Sequence, residues 1–256
     1  DGVEAVDVSD TSEFNVGVNY ITADGALQTA DLSQYGASSY LTVNTGGANG
    51  SNTGDVNLTI SAVDTAGGGY GYDSVEVYAN SGKDVSLNAT YGEGGSYTYV
   101  KTTGDESGVR GNVQLTVNAG WGSDEVYAES YGGITAHLDL GEGGSHVAMK
   151  SYEGSATAVT LTAGEGNDQV YVDTYGGGGI RADLSLGNGE GHVQLNAHEG
   201  GNINATVTGG AGEDSVSLST NNESAIVATV HGGAGTNDRV TVHGGGDAHG
   251  NNEGNV

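Results

Sequence analysis

A Gly-x-Gly turn opens at Gly69, Gly92, Gly120, Gly141, Gly164, Gly187, Gly210 and Gly233, at spacings of 23, 28, 21, 23, 23, 23 and 23 residues. Self-similarity on this scale marks a solenoid or an array, in which each repeat buries its apolar face on the next. Counted from each opening glycine, the sixth residue on reads Val75, Thr98, Val126, Val147, Val170, Val193 and Val216. The eighth reads Val77, Val100, Ala128, Met149, Val172, Leu195 and Leu218, and polar or tyrosine residues such as Glu76, Tyr127 and Tyr171 lie between. A period of two is the mark of a half-buried strand. A second strand follows on the far side of each repeat: Val85, Leu87, Ala89; Ile180, Ala182, Leu184; Ile203, Ala205, Val207; Ile226, Ala228, Val230. The repeat opening at Gly141 fits less well, with Thr157, Val159 and Leu161.

Equivalent strands of successive coils must lie parallel and in register. The expected fold is therefore all-β: a right-handed parallel β-solenoid or β-roll, with two strands in each coil of about 23 residues. Eight coils at the usual strand spacing give a rod of roughly 40 Å. Glycine (49 of 256 residues) is too frequent for helices, and the apolar period is wrong for them. The extra residues of the coil at Gly92 fall in 101–112 and predict a surface loop. Expected boundaries are an atypical N-terminal cap or assembly segment over 1–45, the solenoid over 46–243 and a Gly/Asn/His-rich tail over 244–256. Unpaired end strands invite polymerisation, and the C-terminal end has no evident cap. Asp1 is not an initiator methionine, so the chain is expected to be processed or partial.

Charge narrows the partners. Thirty-three acidic residues stand against six basic ones, a net −27. Nucleic acid binding needs basic patches, and no apolar run approaches a membrane span. Self-repulsion on this scale opposes compaction unless cations screen or bind it. There is no cysteine, hence no disulfide. With one Trp and one Phe, Trp121 and Phe14, small aliphatic residues must fill the core.

The turns are where chemistry concentrates. The run Gly68-Gly69-Tyr70-Gly71-Tyr72-Asp73-Ser74-Val75-Glu76 follows the nonapeptide G-G-x-G-x-D-x-U-x throughout, as does the run from Gly209 through Asp214 to Ser217. The runs Ala119–Tyr127, with Asp124, and Ala163–Tyr171, with Asp168, lack only the first glycine. A fifth run, from Gly232, carries one inserted residue before Asp238. In these five turns the sequence resembles the RTX calcium-binding parallel β-roll repeats of secreted bacterial proteins. The resemblance implies Ca²⁺ in the turns, with Asp73, Asp124, Asp168, Asp214 and Asp238 as ligands, and an extracellular or cell-surface location. Glycines let main-chain carbonyls turn inward and aspartate adds a charged hard oxygen, which suits the six to eight oxygens of Ca²⁺. This chain departs from that pattern: until the last pair the aspartate stands only in alternate coils. The intervening turns offer Glu93, Glu142 and Glu190 instead. Glu142 is a candidate ligand beside Asp124 or Asp168. In the other reading, aspartate caps main-chain N–H groups in a tight turn.

Two further rows lie on the outer face. Lys101, Glu129, Lys150 and Asp173 alternate in charge on neighbouring strands and help fix register. Tyr131, Tyr152, Tyr175 and His198 form an aromatic row along one corner, read as a stiffening stack or a contact for a glycan or a neighbouring molecule. His146 and His192, two coils apart, are about 10 Å from each other and read as polar surface residues. His243 and His249 lie near the C-terminal end. No nucleophile–base pair, zinc signature or phosphate loop stands out, so the chain is not expected to be an enzyme. The leading expectation is an extracellular structural protein: a Ca²⁺-stiffened rod that self-associates into a fibre, surface layer or matrix. The alternatives are an adhesin or glycan-binding module using the outer sheet face, and the non-catalytic repeat region of a secreted enzyme.

Overall fold

The computed structural model describes residues 5–7, 16–22, 29–31, 38–44, 55–62, 71–80 and 82–245. It is all β. One sheet holds β1 (Ala5–Asp7), β3 (Thr29–Asp31), β5 (Val56–Ala62), β7 (Val85–Tyr91), β9 (Val113–Asn118), β11 (Ile134–Asp139), β13 (Thr157–Thr162), β15 (Ile180–Ser185), β17 (Ile203–Thr208) and β19 (Ile226–His231). The other holds β2 (Val16–Thr22), β4 (Ser39–Asn44), β6 (Asp73–Ala79), β8 (Ser96–Thr102), β10 (Asp124–Ser130), β12 (Ser145–Ser151), β14 (Asp168–Thr174), β16 (Gly191–Ala197), β18 (Ser215–Thr220) and β20 (Arg239–His243). We call them the odd and even sheets. Every neighbouring pair is parallel and each coil contributes one strand to each sheet, so the fold is the expected two-sheeted parallel β-solenoid. Strands β1 to β4, from the segment expected as a cap, extend the same two sheets.

Register keeps the core in columns. Val75, Thr98, Val126, Val147, Val170, Val193 and Val216 stack across the even sheet and are all buried. The odd sheet answers with Val85, Val113, Ile134, Thr157, Ile180 and Ile203, so the coil opening at Gly141 keeps its register despite its threonine. A further inward column of the even sheet is mostly hydroxyl: Thr102, Ser130, Ser151, Thr174 and Thr220 are buried, with Ala79 and Ala197 at the same register. Their hydroxyls close the even-to-odd turn by donating to main-chain carbonyls, Thr102 and Ser130 to Gly111 (both 2.7 Å) and Ser151 to Ser155 (2.8 Å). Buried hydroxyls are tolerable only with such partners. The expected insertion forms a loop over 103–111, closed by an antiparallel bridge between Gly104 and Arg110. From it Arg110 reaches Glu153, with Nε 2.8 Å from a carboxylate oxygen.

The glycine beat has a steric cause. A Cβ on Gly143 would lie 1.4 Å from the carbonyl oxygen of Gly122, and one on Gly166 would lie 2.3 Å from that of Gly143. One on Gly189 would lie 1.6 Å from the oxygen of Gly166. The first glycine of each pair repeats the pattern: Gly164 lies against Gly141, Gly187 against Gly164, and Gly210 against Gly187. Two columns of glycine thus stack carbonyl on Cα along one corner of the rod.

Gly143→Ala should therefore cost more than about 3 kcal/mol, since the clash is with main chain that cannot rotate away. Gly133→Ala, whose added carbon meets nothing closer than 3.2 Å, should cost under about 1 kcal/mol. Urea unfolding of the two variants measures the difference.

Candidate functional site: a buried carboxylate column at the glycine corner

Directly after the glycine pairs, the even-sheet register lines up one residue from each coil: Asp73, Ser96, Asp124, Ser145, Asp168, Gly191, Asp214 and Asp238. Asp73, Asp124, Asp168 and Asp214 are at most 4% exposed. Their carboxylates do the work of main-chain acceptors. Asp124 Oδ1 accepts the Ser96 N–H (3.0 Å) and the Ser96 hydroxyl (2.7 Å) of the preceding coil. Asp168 Oδ1 accepts the Ser145 N–H (3.0 Å), Asp214 Oδ1 the Gly191 N–H (2.9 Å), and Asp238 Oδ1 the Asp214 N–H (3.0 Å).

This explains the alternation. The N–H groups of Asp73, Asp124 and Asp168 donate to turn carbonyls of the next coil, at Gly95, Gly144 and Glu190. In the coils between, the column's N–H reaches the next coil's aspartate. Space alternates with it. Just before the turn stand Ala119, Ala163 and Gly209 in the aspartate coils, but Tyr91, Leu140 and Leu186 in the others. A Cβ on Gly209 would lie 1.9 Å from Asp214 Oδ2, and one on Gly191 would lie 2.5 Å from Leu186 Cδ1. Small residues thus make room for the carboxyl in one coil and for a large apolar side chain in the next. Tyr91, buried, places its hydroxyl 2.7 Å from Thr98 Oγ1. This size alternation carries no motif. Its signal was the residue before each glycine pair.

The second oxygens of Asp124, Asp168 and Asp214 are buried without a hydrogen-bond partner, as is Ser145 Oγ. A buried carboxylate oxygen with no donor demands a proton or a cation. Burial accordingly pushes the Asp124 carboxyl up to about 7 and that of Asp168 up to about 6. Asp214 is raised too, by burial and by neighbouring Asp238. Among the described residues no group of three or more His, Asp or Glu is placed to hold a metal. Glu142 is exposed at its turn tip while Asp124 and Asp168 are buried. Asp238 is exposed. Each position thus offers a single charged oxygen, and the further oxygens that a hard cation takes would have to come from main-chain carbonyls or water. Gly68, Gly69 and Tyr70 of the first motif, and His249, lie outside the described residues.

The outer face of the even sheet is ordered by ring stacking. At the corner just after the even strands end, Tyr131, Tyr152, Tyr175 and His198 follow one another at centroid distances of 5.2, 5.4 and 4.6 Å. A second, zigzag row runs Tyr97, Tyr127, His146, Tyr171, His192 at 5.4–5.6 Å. Tyr152, Tyr175 and His198 lie nearly parallel, at 12° and 7°, and the other pairs are tilted by 36–50°. In the charged row, Lys101 and Glu129 form an ion pair at 2.9 Å, and His198 Nε2 lies 3.8 Å from Asp173.

A carboxyl raised above its unfolded-state value of about 3.9 binds more protons folded than unfolded. The stability that this proton uptake contributes is present below about pH 4 and lost as pH rises through the folded-state values near 6 and 7. In chelator, the protein should therefore lose stability between about pH 5 and pH 8, and Asp124→Asn should lose less, by on the order of a few kcal/mol. The asparagine keeps an oxygen for the Ser96 N–H. Urea unfolding at the two pH values checks this; equal losses would show that Asp124 does not titrate in the window.

Comparison with protein-family models, curated proteins and solved structures finds no match to this chain; what its own geometry establishes is a parallel β-solenoid compatible with a β-roll repeat.

Proposed function

We propose that the chain is an extracellular structural protein, a rod that takes up Ca²⁺ along its glycine corner and builds a fibre, surface layer or matrix by end-to-end association. The observation that carries the reading is the row of buried, partnerless carboxylate oxygens at Asp124, Asp168 and Asp214. A cation at each would remove the cost of burying the charge and ease the repulsion of a −27 chain. Asp73 holds the equivalent position one coil pair earlier, Asp238 the last, and Glu142 is a turn-tip carboxylate within the same corner. One carboxylate per ion makes a weak site, in the range of about 10⁻⁴–10⁻³ M characteristic of extracellular modules. The RTX-like turn motif supports the same location, and no helix among the described residues is long and apolar enough to cross a membrane.

Association rests on the ends. β19 and β20 are the last described strands of their sheets, and in this coil Val227 and Val240 are 65% and 51% exposed. The chain alternates odd and even strands from β1 to β20. A second copy can thus continue both sheets, its β1 on β19 and its β2 on β20, with every strand still parallel.

Calcium titration should raise the unfolding midpoint reversibly, with EGTA restoring the starting value. Asp124→Asn and Asp168→Asn should weaken the response. A midpoint independent of calcium would remove the ion from this account. Analytical ultracentrifugation and electron microscopy should show concentration-dependent rods that Val240→Asp shortens to single molecules. Monomers at every concentration and calcium level would remove the assembly.

A further inference from the structure

The two faces of the rod differ in how many charged groups they carry. Outward positions of the even sheet carry Glu76, Glu125, Glu129, Lys101, Lys150 and Asp173. The outward positions of the odd sheet, from β5 to β19, are mostly Thr, Ser, Asn and Gln, with two aspartates, Asp139 and Asp183, and one arginine, Arg181. On a chain of net charge −27, this is a nearly neutral surface of hydroxyls and amides.

A furrow of about 640 Å³ runs along that face parallel to the rod axis. Its origin is an interrupted ladder at the start of the odd strands. Asp55 Oδ1 accepts the Asp84 N–H (3.1 Å), Asp84 Oδ1 accepts the Asn112 N–H (2.7 Å), and Asn112 Oδ1 accepts the Gly133 N–H (2.8 Å). Then the side chains stop: the column continues as Gly133, Ala156 and Gly179 before Asn202 resumes it by accepting the Ala225 N–H (2.8 Å). Three successive small residues leave a floor about 14 Å long at the usual strand spacing. Exposed amides stand along it, Gln114 on one side of the gap and Asn204 on the other, with Arg181 in register beside Asn204 and the aspartates Asp55 and Asp84 at the far end.

We infer that this furrow binds a neutral, extended polysaccharide lying along the rod. Amides both donate and accept, as sugar hydroxyls do, so a row of them can follow a chain of hydroxyl edges. The residues lining the furrow include no aromatic ring, so recognition is by the rims of the sugars. An extended, equatorially linked pyranose chain advances by nearly one coil spacing per sugar with alternate rings flipped, so the same edge returns about every two coils. Acidic polymers are repelled by the net charge. An extended peptide needs free main-chain edges, and here the strands are already paired on both sides. The inference depends neither on calcium nor on end-to-end association.

Affinity electrophoresis through gels containing hydroxyethyl cellulose, laminarin, xylan or galactomannan tests it, with alginate as the anionic control. At least one neutral polymer should retard the protein and alginate should not. Ala158→Trp, which fills the furrow, and the pair Gln114→Ala with Asn204→Ala should each weaken retardation about tenfold or more. Tyr152→Ala should leave it unchanged. Circular dichroism establishes that each variant is folded. No retardation by any neutral polymer, retardation indifferent to both furrow variants, or loss of self-association in Ala158→Trp without loss of glycan binding would overturn the assignment.

Discussion

The structure depends on main chain meeting main chain at one corner. Where the Cβ of Gly143, Gly166 or Gly189 would be, the carbonyl oxygen of the glycine one coil earlier already sits. This contact sets how closely coils approach there and so lets the strands that follow pair along their full length. The cost is conformational, since glycine loses more freedom on folding than any other residue. It is offset by inward columns of Val, Leu and Ile that are almost fully removed from water across both sheets.

Stacking glycine on glycine creates a second problem. Coils of identical shape leave a row of turn N–H groups at the same height, and each needs an acceptor. The molecule meets this with two turn types that take turns. In one, a neighbouring carbonyl is the acceptor; in the other, an aspartate reaches in from the next coil. The bulk beside the column follows suit, Ala or Gly against aspartate, Leu or Tyr against serine or glycine. A consequence is that carboxylates enter an apolar corner with only one oxygen satisfied. The same arrangement that completes the backbone's hydrogen bonds produces the demand for a proton or an ion.

Much of the fold was legible because the period of two and the 23-residue beat are both set by geometry that every coil shares. The inward columns at Val126 and Val170 could be counted off the sequence, and so could the stacked row from Tyr131 to His198. The insertion before β9 was legible for the same reason: a coil cannot be longer without a loop. What the sequence left open was which way Asp124 and Asp168 point, because a Gly-x-Gly-x-Asp turn serves ion binding and N–H capping alike. Their partners lie 23 or 28 residues away, at Ser145 and Ser96. Nothing local announces that distance. The furrow was hidden for a related reason. It arises from what is missing at Gly133, Ala156 and Gly179, and a gap in a column shows only once the columns are aligned.

The alternation at the corner also limits how such a molecule can change length. A single added or deleted coil would bring two large residues such as Leu140 and Leu186 into adjacent layers, or set one buried carboxylate directly on another. Growth by pairs of coils, 46 residues at a time, keeps every layer matched to its neighbours. The one place where aspartate follows aspartate, Asp214 and Asp238, is the last described layer, where Asp238 is open to water. The gene for a protein of this design would be expected to lengthen by duplicating double units, with any odd coil confined to an end.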